Sequence, residues 1–258
     1  LEEVLDLKQF DIIHAHYWMS GLIAKDISKK YNIPYIFTSH SLGVFLDGYN
    51  KERADCEKIV MSSSKFVTAS TNYEETLISE SYQVDSQKIK QINPGVDYEL
   101  FVADQSIERE NIFLSIGRIQ QQKGQLETLR FLNSFKEIET NFMCYFVGGP
   151  SGSSGEEYLL EHKESVKELS LDSHVEFLGN LPQVDIRNLL NKAKLLIHTS
   201  QYETFGLVAI EANSMGVPVL TTNNGSMQEI IVNEENGYLV DGLDYLNVIT
   251  SIKNLINN

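Results

Sequence analysis

Residues 111–149, NIFLSIGRIQQQKGQLETLRFLNSFKEIETNFMCYFVGG, read as a strand, a glycine turn, a helix and a second strand. NIFLSIG and NFMCYFVG are continuously apolar rather than alternating, as strands covered on both faces are. Between them QLETLRFLNSFKEI carries apolar residues at helical spacing. Strand, helix and strand in that order build parallel pairs with right-handed crossovers. In such sheets ligands gather at the carboxyl ends of the strands, which makes the loops after the strands the place to look for chemistry.

The same alternation extends in both directions. Strand candidates are FDIIH (10–14), PYIFTS (34–39), KFVTA (65–69), KIKQI (88–92), HVEFLG (174–179), KLLIHTS (194–200) and VPVLTT (217–222), with amphipathic stretches such as WMSGLIAKDISKKY, EEYLLEHKESVKEL and VDIRNLLNKA between them. The polar segment DYELFVADQSIEREN, without a clear period, suggests a hinge. The expected domains are 1–105 and 106–258, both α/β, with a site in the cleft between them.

A formal net charge of −15 argues against nucleic acid as a partner and against a broad grip on anionic lipid, since both need clustered Lys and Arg. One basic pocket would still serve a small phosphorylated ligand. Cys56 and Cys144 stand far apart without CxxC spacing and read as reduced thiols of a cytoplasmic protein. There is no apolar run of ~20 residues, the length of a membrane span, and no signal peptide. The start, LEEVLDLKQF, lacks Met and reads as the middle of a fold.

Four loops carry candidate sites. In SIGRIQQQKGQLETL, Arg118 and Lys123 flank a glycine turn and Gly124 opens a helix, whose free amides and dipole favour anions. That makes a phosphate or diphosphate cradle, or else a solvated turn with incidental charges; GxxxxGK[ST] is absent. VGGPSGSSGEEYL, with Gly149, reads as a backbone contact to a ligand or as a flexible connection. His40, in TSHSLG, reads as a cap or as a hydrogen-bonding group facing a cleft. FDIIHAHYWMSG places His14 and His16 after a strand, where with His40 and His198 they would be the beginnings of a metal site. The sequel Tyr17-Trp18-Met-Ser-Gly looks more like a helix start near a ring-shaped ligand, and Trp18 reads equally as core.

HTSQYETFGLVAIEANSMGVPVL, 198–220, contains Glu203 and Glu211. With a helix starting near Gly206, Glu203 precedes it and Glu211 lies inside. Eight helical steps span about 12 Å, whereas a glycosidase pair sits roughly 5–9.5 Å apart. Two anchors along an extended ligand fit better than an acid and a base.

Together these segments resemble the retaining GT-B glycosyltransferases of family 4. Glu203-Thr-Phe-Gly-Leu-Val-Ala-Ile-Glu211 is similar to that family's E-x7-E motif, and GRIQQQKG to its Gly-Arg-x4-Lys-Gly diphosphate motif. HAHYWMSG, TSHSLG, INPGVD and VGGPSGS also resemble its segments, in its order, particularly in the sucrose-phosphate synthase and mycothiol-type branches.

The resemblance implies two Rossmann-like domains with a cleft between them and an incomplete N-terminal domain. The first strand and glycine-rich loop would lie upstream of Leu1, and a crossing helix beyond SIKNLINN. It implies a metal-independent transferase without a cofactor, moving a hexosyl or N-acetylhexosaminyl unit from a nucleotide sugar, UDP by the branches resembled, to a hydroxyl acceptor that the sequence does not identify. Catalytic roles would fall to His40, Glu203, Arg118 and Lys123. Donor contacts would come from Arg118, Lys123, Gly149, Glu203, Thr204, Phe205, Gly206, Leu207 and Glu211. Acceptor or cleft contacts would come from His16, Tyr17, Trp18 and His40. Competing readings are another GT-B enzyme such as a sugar phosphorylase or nucleotide-sugar epimerase, a non-catalytic nucleotide-sugar binding subunit, and a metal-dependent hydrolase built on the HxH pair.

Overall fold

Among the described residues every strand pair is parallel, and the strands form two sheets. A computed structural model describes residues 6–45, 50–241 and 245–257. The chain divides into two compact units, Leu1–Pro94 and Gly95–Asn258.

The first unit holds β1 (Ile13–His16), β2 (Tyr35–Thr38), β3 (Phe66–Ala69) and β4 (Ile89–Gln91), in chain order across the sheet. They are joined by α1 (Trp18–Tyr31), α2 (Lys51–Ser63) and α3 (Asn72–Tyr82). Its core gathers Phe37, Val60, Met61 and Ile78, all removed from solvent. The first strand lies further along the chain than 10–14. Pairing of Ile13 with Tyr35 through His16 with Thr38 draws both histidines into β1 itself instead of leaving them beyond its end.

The second unit holds β5 (Ile112–Ile116), α4 (Gln125–Lys136), β6 (Met143–Val147), α5 (Gly155–Glu168), β7 (Val175–Gly179), α6 (Gln183–Lys192), β8 (Ala193–His198), α7 (Leu207–Ser214), β9 (Val219–Thr222), α8 (Met227–Ile230), β10 (Gly237–Val240) and α9 (Leu246–Asn257). The sheet order is β10-β9-β8-β5-β6-β7. That is the doubly wound order, with the chain reversing direction between β5 and β8. Neighbouring residues explain the apolar runs. Phe113 and Leu195 face one core with Phe131, Phe135 and Phe146, while Leu114 and Leu196 face another with Ala209, Met215 and Val219. A strand buried on both sides has no position left for a polar residue.

The units part between Pro94 and Gly95, ahead of the expected boundary at 105. The polar look of 97–110 conceals anchors in the second unit. Phe101 is buried in its core, its carbonyl accepts from Ser214 Oγ (3.1 Å), and Asp104 N donates to Asn191 Oδ1 (2.9 Å). β10, GYLV, is a strand beyond those expected from sequence. Among the described residues no helix is long and apolar enough to cross a membrane.

Candidate active site

The loops after β5 and β8 leave the sheet side by side, at the reversal point of the strand order. Backbone bonds fasten them to each other and to the loop after β6. Gln201 N donates to Gln122 O (2.9 Å), Ile119 N to Gly149 O (2.8 Å) and Ser151 N to Ile119 O (3.1 Å). Gln125, buried at the start of α4, donates from Nε2 to the carbonyls of Gly117 (3.3 Å) and Arg118 (3.0 Å).

Glycine is required where these segments touch. Gly124 has φ +62°, and a Cβ there would lie 2.1 Å from Thr199 O. Thr199 returns the contact from Oγ1 to Gly124 O (2.8 Å). A side chain on Gly124 would thus be strained in backbone and would push the two loops apart. Gly148, with φ +137°, stands in the same relation to Gly117 O, at 2.0 Å. Gly149 donates its N–H to Asn180 Oδ1 (2.7 Å), and a Cβ there would meet that side chain.

On this frame Lys123 Nζ donates to Glu203 Oε2 across 2.7 Å. His198, the last residue of β8, brings Nε2 to 3.3 Å from the same oxygen, close but not aligned as a hydrogen bond. The Glu203 side chain is 15% exposed. Burial alone pushes its carboxyl upward, but His198 and Lys123 outweigh that and hold it well below the usual carboxylate range. A carboxyl held so low is an acceptor and a charge, not a general acid near neutral pH. Ser226 fixes the backbone beneath it, donating from N (3.2 Å) and Oγ (3.1 Å) to Glu203 O.

Glu203 lies in the loop and Glu211 in α7, so a separation reckoned as eight helical steps does not apply; only Leu207 to Glu211 are helical. The two carboxyls differ in surroundings. Glu211 is half-buried, and burial pushes its carboxyl up. Between them Phe205 turns its ring into the protein, Gly206 caps α7 and Leu207 begins it. In that first turn Ala209 N donates to Gly206 O (2.9 Å), while the amides of Leu207 and Val208 come too early to have an acceptor within the helix. Thr204 lies in the same loop. Arg118 is exposed, with Nη1 3.5 Å from Ser151 Oγ, and enters no ion pair among the described residues.

In the first unit, His14, His16 and His40 cluster at the carboxyl ends of β1 and β2. His16 Nδ1 and His40 Nε2 share a hydrogen bond of 2.8 Å, and His14 Nε2 meets Thr38 Oγ1 at 2.9 Å. Burial lowers His40, with His16 adding to the effect and Glu74 opposing it. Burial, then His16 and His40, lowers His14. Among the described residues no group of three or more His, Cys, Asp or Glu is arranged to hold a metal ion. The imidazoles instead engage each other and a threonine.

Tyr17 precedes α1 at φ 73°, ψ 150°, a region nearly reserved for glycine. Arg53 holds it there, stacking 4.9 Å from the ring and donating from Nη1 to its hydroxyl (3.2 Å). Arg53 pairs with Glu57 (2.7 Å) in the interior and donates to Ser41 O (2.9 Å), so one buried ion pair fastens the loops that follow β1 and β2. Trp18, partly buried, opens α1 beside it. Sequence reasoning did not point to Arg53, Asn180, Gln125 or Ser226, which act through contacts distant in sequence, and it considered His198 only as a metal ligand.

Comparison with known proteins gives a consistent result. Residues 98–258 match the family described as "Glycosyl transferases group 1", and residues 1–100 match "Glycosyltransferase Family 4". The chain is similar to a D-inositol 3-phosphate glycosyltransferase of Corynebacterium urealyticum, at 30% identity over 91% of this chain and 60% of the relative. A second, from Frankia alni, is 30% identical over 91% of this chain and 63% of its own length. The chain thus spans about 60% of the length of the curated relatives it matches. Among solved structures, sucrose-phosphate synthase of Thermosynechococcus elongatus superposes with a TM-score of 0.85 at 25% identity, covering 97% of this chain and 65% of that one. Anabaena HepE in complex with UDP and glucose shares the fold, with a TM-score of 0.86 at 19% identity over 97% of this chain and 69% of its own.

Proposed function

The chain belongs to the group 1 glycosyl transferases, and from that premise we propose that it moves a hexosyl or N-acetylhexosaminyl unit from a nucleotide-diphosphate sugar to a hydroxyl acceptor, retaining the anomeric configuration. The observation that carries this reading is the meeting of Lys123 and Glu203 at the reversal point of a doubly wound sheet, beside the exposed Arg118. Arg118 and Lys123 supply two cations for a diphosphate. Glu203 and the amides of Phe205 to Leu207 supply acceptors and donors for sugar hydroxyls, and Glu211 an acceptor for ribose hydroxyls. Gly149 lets backbone approach the donor closely.

Departure of the nucleoside diphosphate places charge on phosphate oxygens, and fixed cations stabilise that charge in the transition state. With two such cations in place the step needs no metal ion, so chelation leaves turnover unchanged. His40 is assigned to the reacting sugar, and His16, Tyr17 and Trp18 to the acceptor. UDP is favoured as the nucleotide by the HepE complexes with UDP and with UDP-glucose. The free thiols of Cys56 and Cys144 favour a cytoplasmic setting.

A panel of nucleoside diphosphates and their sugars, read by thermal shift and by transfer to an inositol phosphate, a sugar phosphate, a lipid carrier and a peptide, tests the reading. UDP or a UDP-sugar should raise Tm. No shift with any nucleoside diphosphate would overturn the proposal.

A further inference from the structure

Glu203 is fastened both by its side chain and by its backbone, and the two fastenings come from different parts of the sheet. Its carboxylate is tied to Lys123, from the turn after β5, at 2.7 Å. Its carbonyl oxygen takes both donors of Ser226, N at 3.2 Å and Oγ at 3.1 Å. Ser226 stands in the corner between β9 and α8 and is wholly removed from solvent. The same corner presses on this loop at two glycines. Gly225 has φ +64°, and a Cβ there would lie 2.6 Å from Glu203 O, a backbone atom. Gly206 has φ +85°, and a Cβ there would lie 2.2 Å from Cε of the buried Met227. Residues 203–206 thus lie directly against residues 225–227.

Recognition of a sugar needs the carboxylate and the neighbouring amides held in one position, and such contacts keep their geometry only when a further layer of hydrogen bonds supports them. The side-chain fastening does not suffice. Lys123 is also the group assigned to the diphosphate, so its hold on Glu203 is shared with the ligand. Ser226 is not shared, since it is buried and both its donors are spent on one protein carbonyl. We propose that Ser226 is a positioning residue for the donor sugar. Its two hydrogen bonds hold the Glu203 peptide in place while the diphosphate draws on Lys123. The corner between β9 and α8 thereby governs how tightly the sugar is held and leaves the grip on the nucleotide alone. This rests on the donor-site reading above and adds to it a division of labour, with the turn after β5 on the diphosphate and the corner after β9 behind the sugar.

Titration with UDP, UDP-glucose and UDP-N-acetylglucosamine separates nucleotide from sugar. In Ser226→Ala the tighter-binding of the two UDP-sugars should lose about tenfold in Kd, while UDP binds as it does to the native protein. A residue that merely stabilised the fold would weaken all three alike. In a Glu203→Ala background, Ser226→Ala should cause no further loss of sugar affinity, because both changes act through one carboxylate. Ser226→Cys, near in size, provides a second variant should the first not fold. Unchanged UDP-sugar binding in the variant, equal weakening of UDP and the UDP-sugars, or a further loss in the double variant would each overturn the role of Ser226 and leave the donor reading standing. UDP-sugar binding that Glu203→Ala leaves intact would overturn the sugar contact and the role of Ser226 together. Binding of none of the three nucleotides by the native protein would overturn the donor site as a whole.

Discussion

Lys123 and Glu203, eighty positions apart in the chain, meet through a 2.7 Å hydrogen bond between Nζ and Oε2. The cation expected on a diphosphate and the carboxylate expected on a sugar are thus each other's partner. A donor molecule would have to bind across this pair, not beside it.

Lys123→Met tests the pair from the cationic side. It removes a diphosphate contact and leaves a mostly buried carboxylate with one fewer partner. UDP binding should weaken by about tenfold or more, a loss near 1.4 kcal/mol. Stability should fall by about 1–3 kcal/mol. In the double variant with Glu203→Gln the stability losses should not add, because both substitutions break one interaction. Denaturant midpoints and UDP titration of the four proteins give the coupling directly.

The sheets were legible in the sequence because their strands are buried on both faces and so read as unbroken apolar runs. β10 escaped because GYLV is four residues at a sheet edge, with partly exposed residues at its centre and a glycine at its head. The boundary escaped because Phe101 is a single apolar anchor within a polar stretch. Within the site, residue types in local motifs gave Arg118, Lys123, Glu203 and Glu211. Their pairing was not legible, since nothing in GRIQQQKG reveals that its lysine reaches a carboxylate that β8 delivers. His198 has the same character: its importance is its distance to Glu203, and a lone histidine at a strand end carries no such signal.

Glu203 also dictates an acid limb. Its folded carboxyl is depressed, so its ion pair contributes stability that is fully present above the unfolded value near 4.5 and is lost as pH falls below it. Urea unfolding between pH 7 and 3.5 should show native stability dropping at the acid end. Glu203→Gln should be less stable at pH 7 and should flatten that drop. Parallel curves for the two proteins would mean that the carboxylate is not stabilised as described.

Gly124→Ala should be among the most damaging single-methyl additions. The residue has φ +62° and its new Cβ would fall 2.1 Å from Thr199 O, a backbone atom that cannot swing aside. Backbone strain alone costs of order 1–3 kcal/mol, and the clash adds to it. A loss of about 3 kcal/mol or more is expected by denaturant unfolding, with UDP binding weakened in whatever folds. A neutral result would show that the two loops separate readily, and would count against the close joint between them.

Glu211→Gln should move stability and binding in opposite directions. Burial raises the folded carboxyl above its unfolded value, so ionisation at neutral pH works against folding; the favourable contribution is present only below the unfolded value and is lost as pH rises through the folded one. Replacing the carboxylate by an amide of equal size removes that penalty, and Tm at pH 7 should rise. If Glu211 accepts hydrogen bonds from ribose hydroxyls, the same change exchanges a charge-assisted contact for a weaker one, worth about 1–2 kcal/mol. UDP should then bind roughly tenfold more weakly, whereas inorganic diphosphate, which has no ribose, should bind as before. A variant that is more stable and still binds UDP normally would detach Glu211 from the ribose, while leaving Lys123 and Glu203 in their roles.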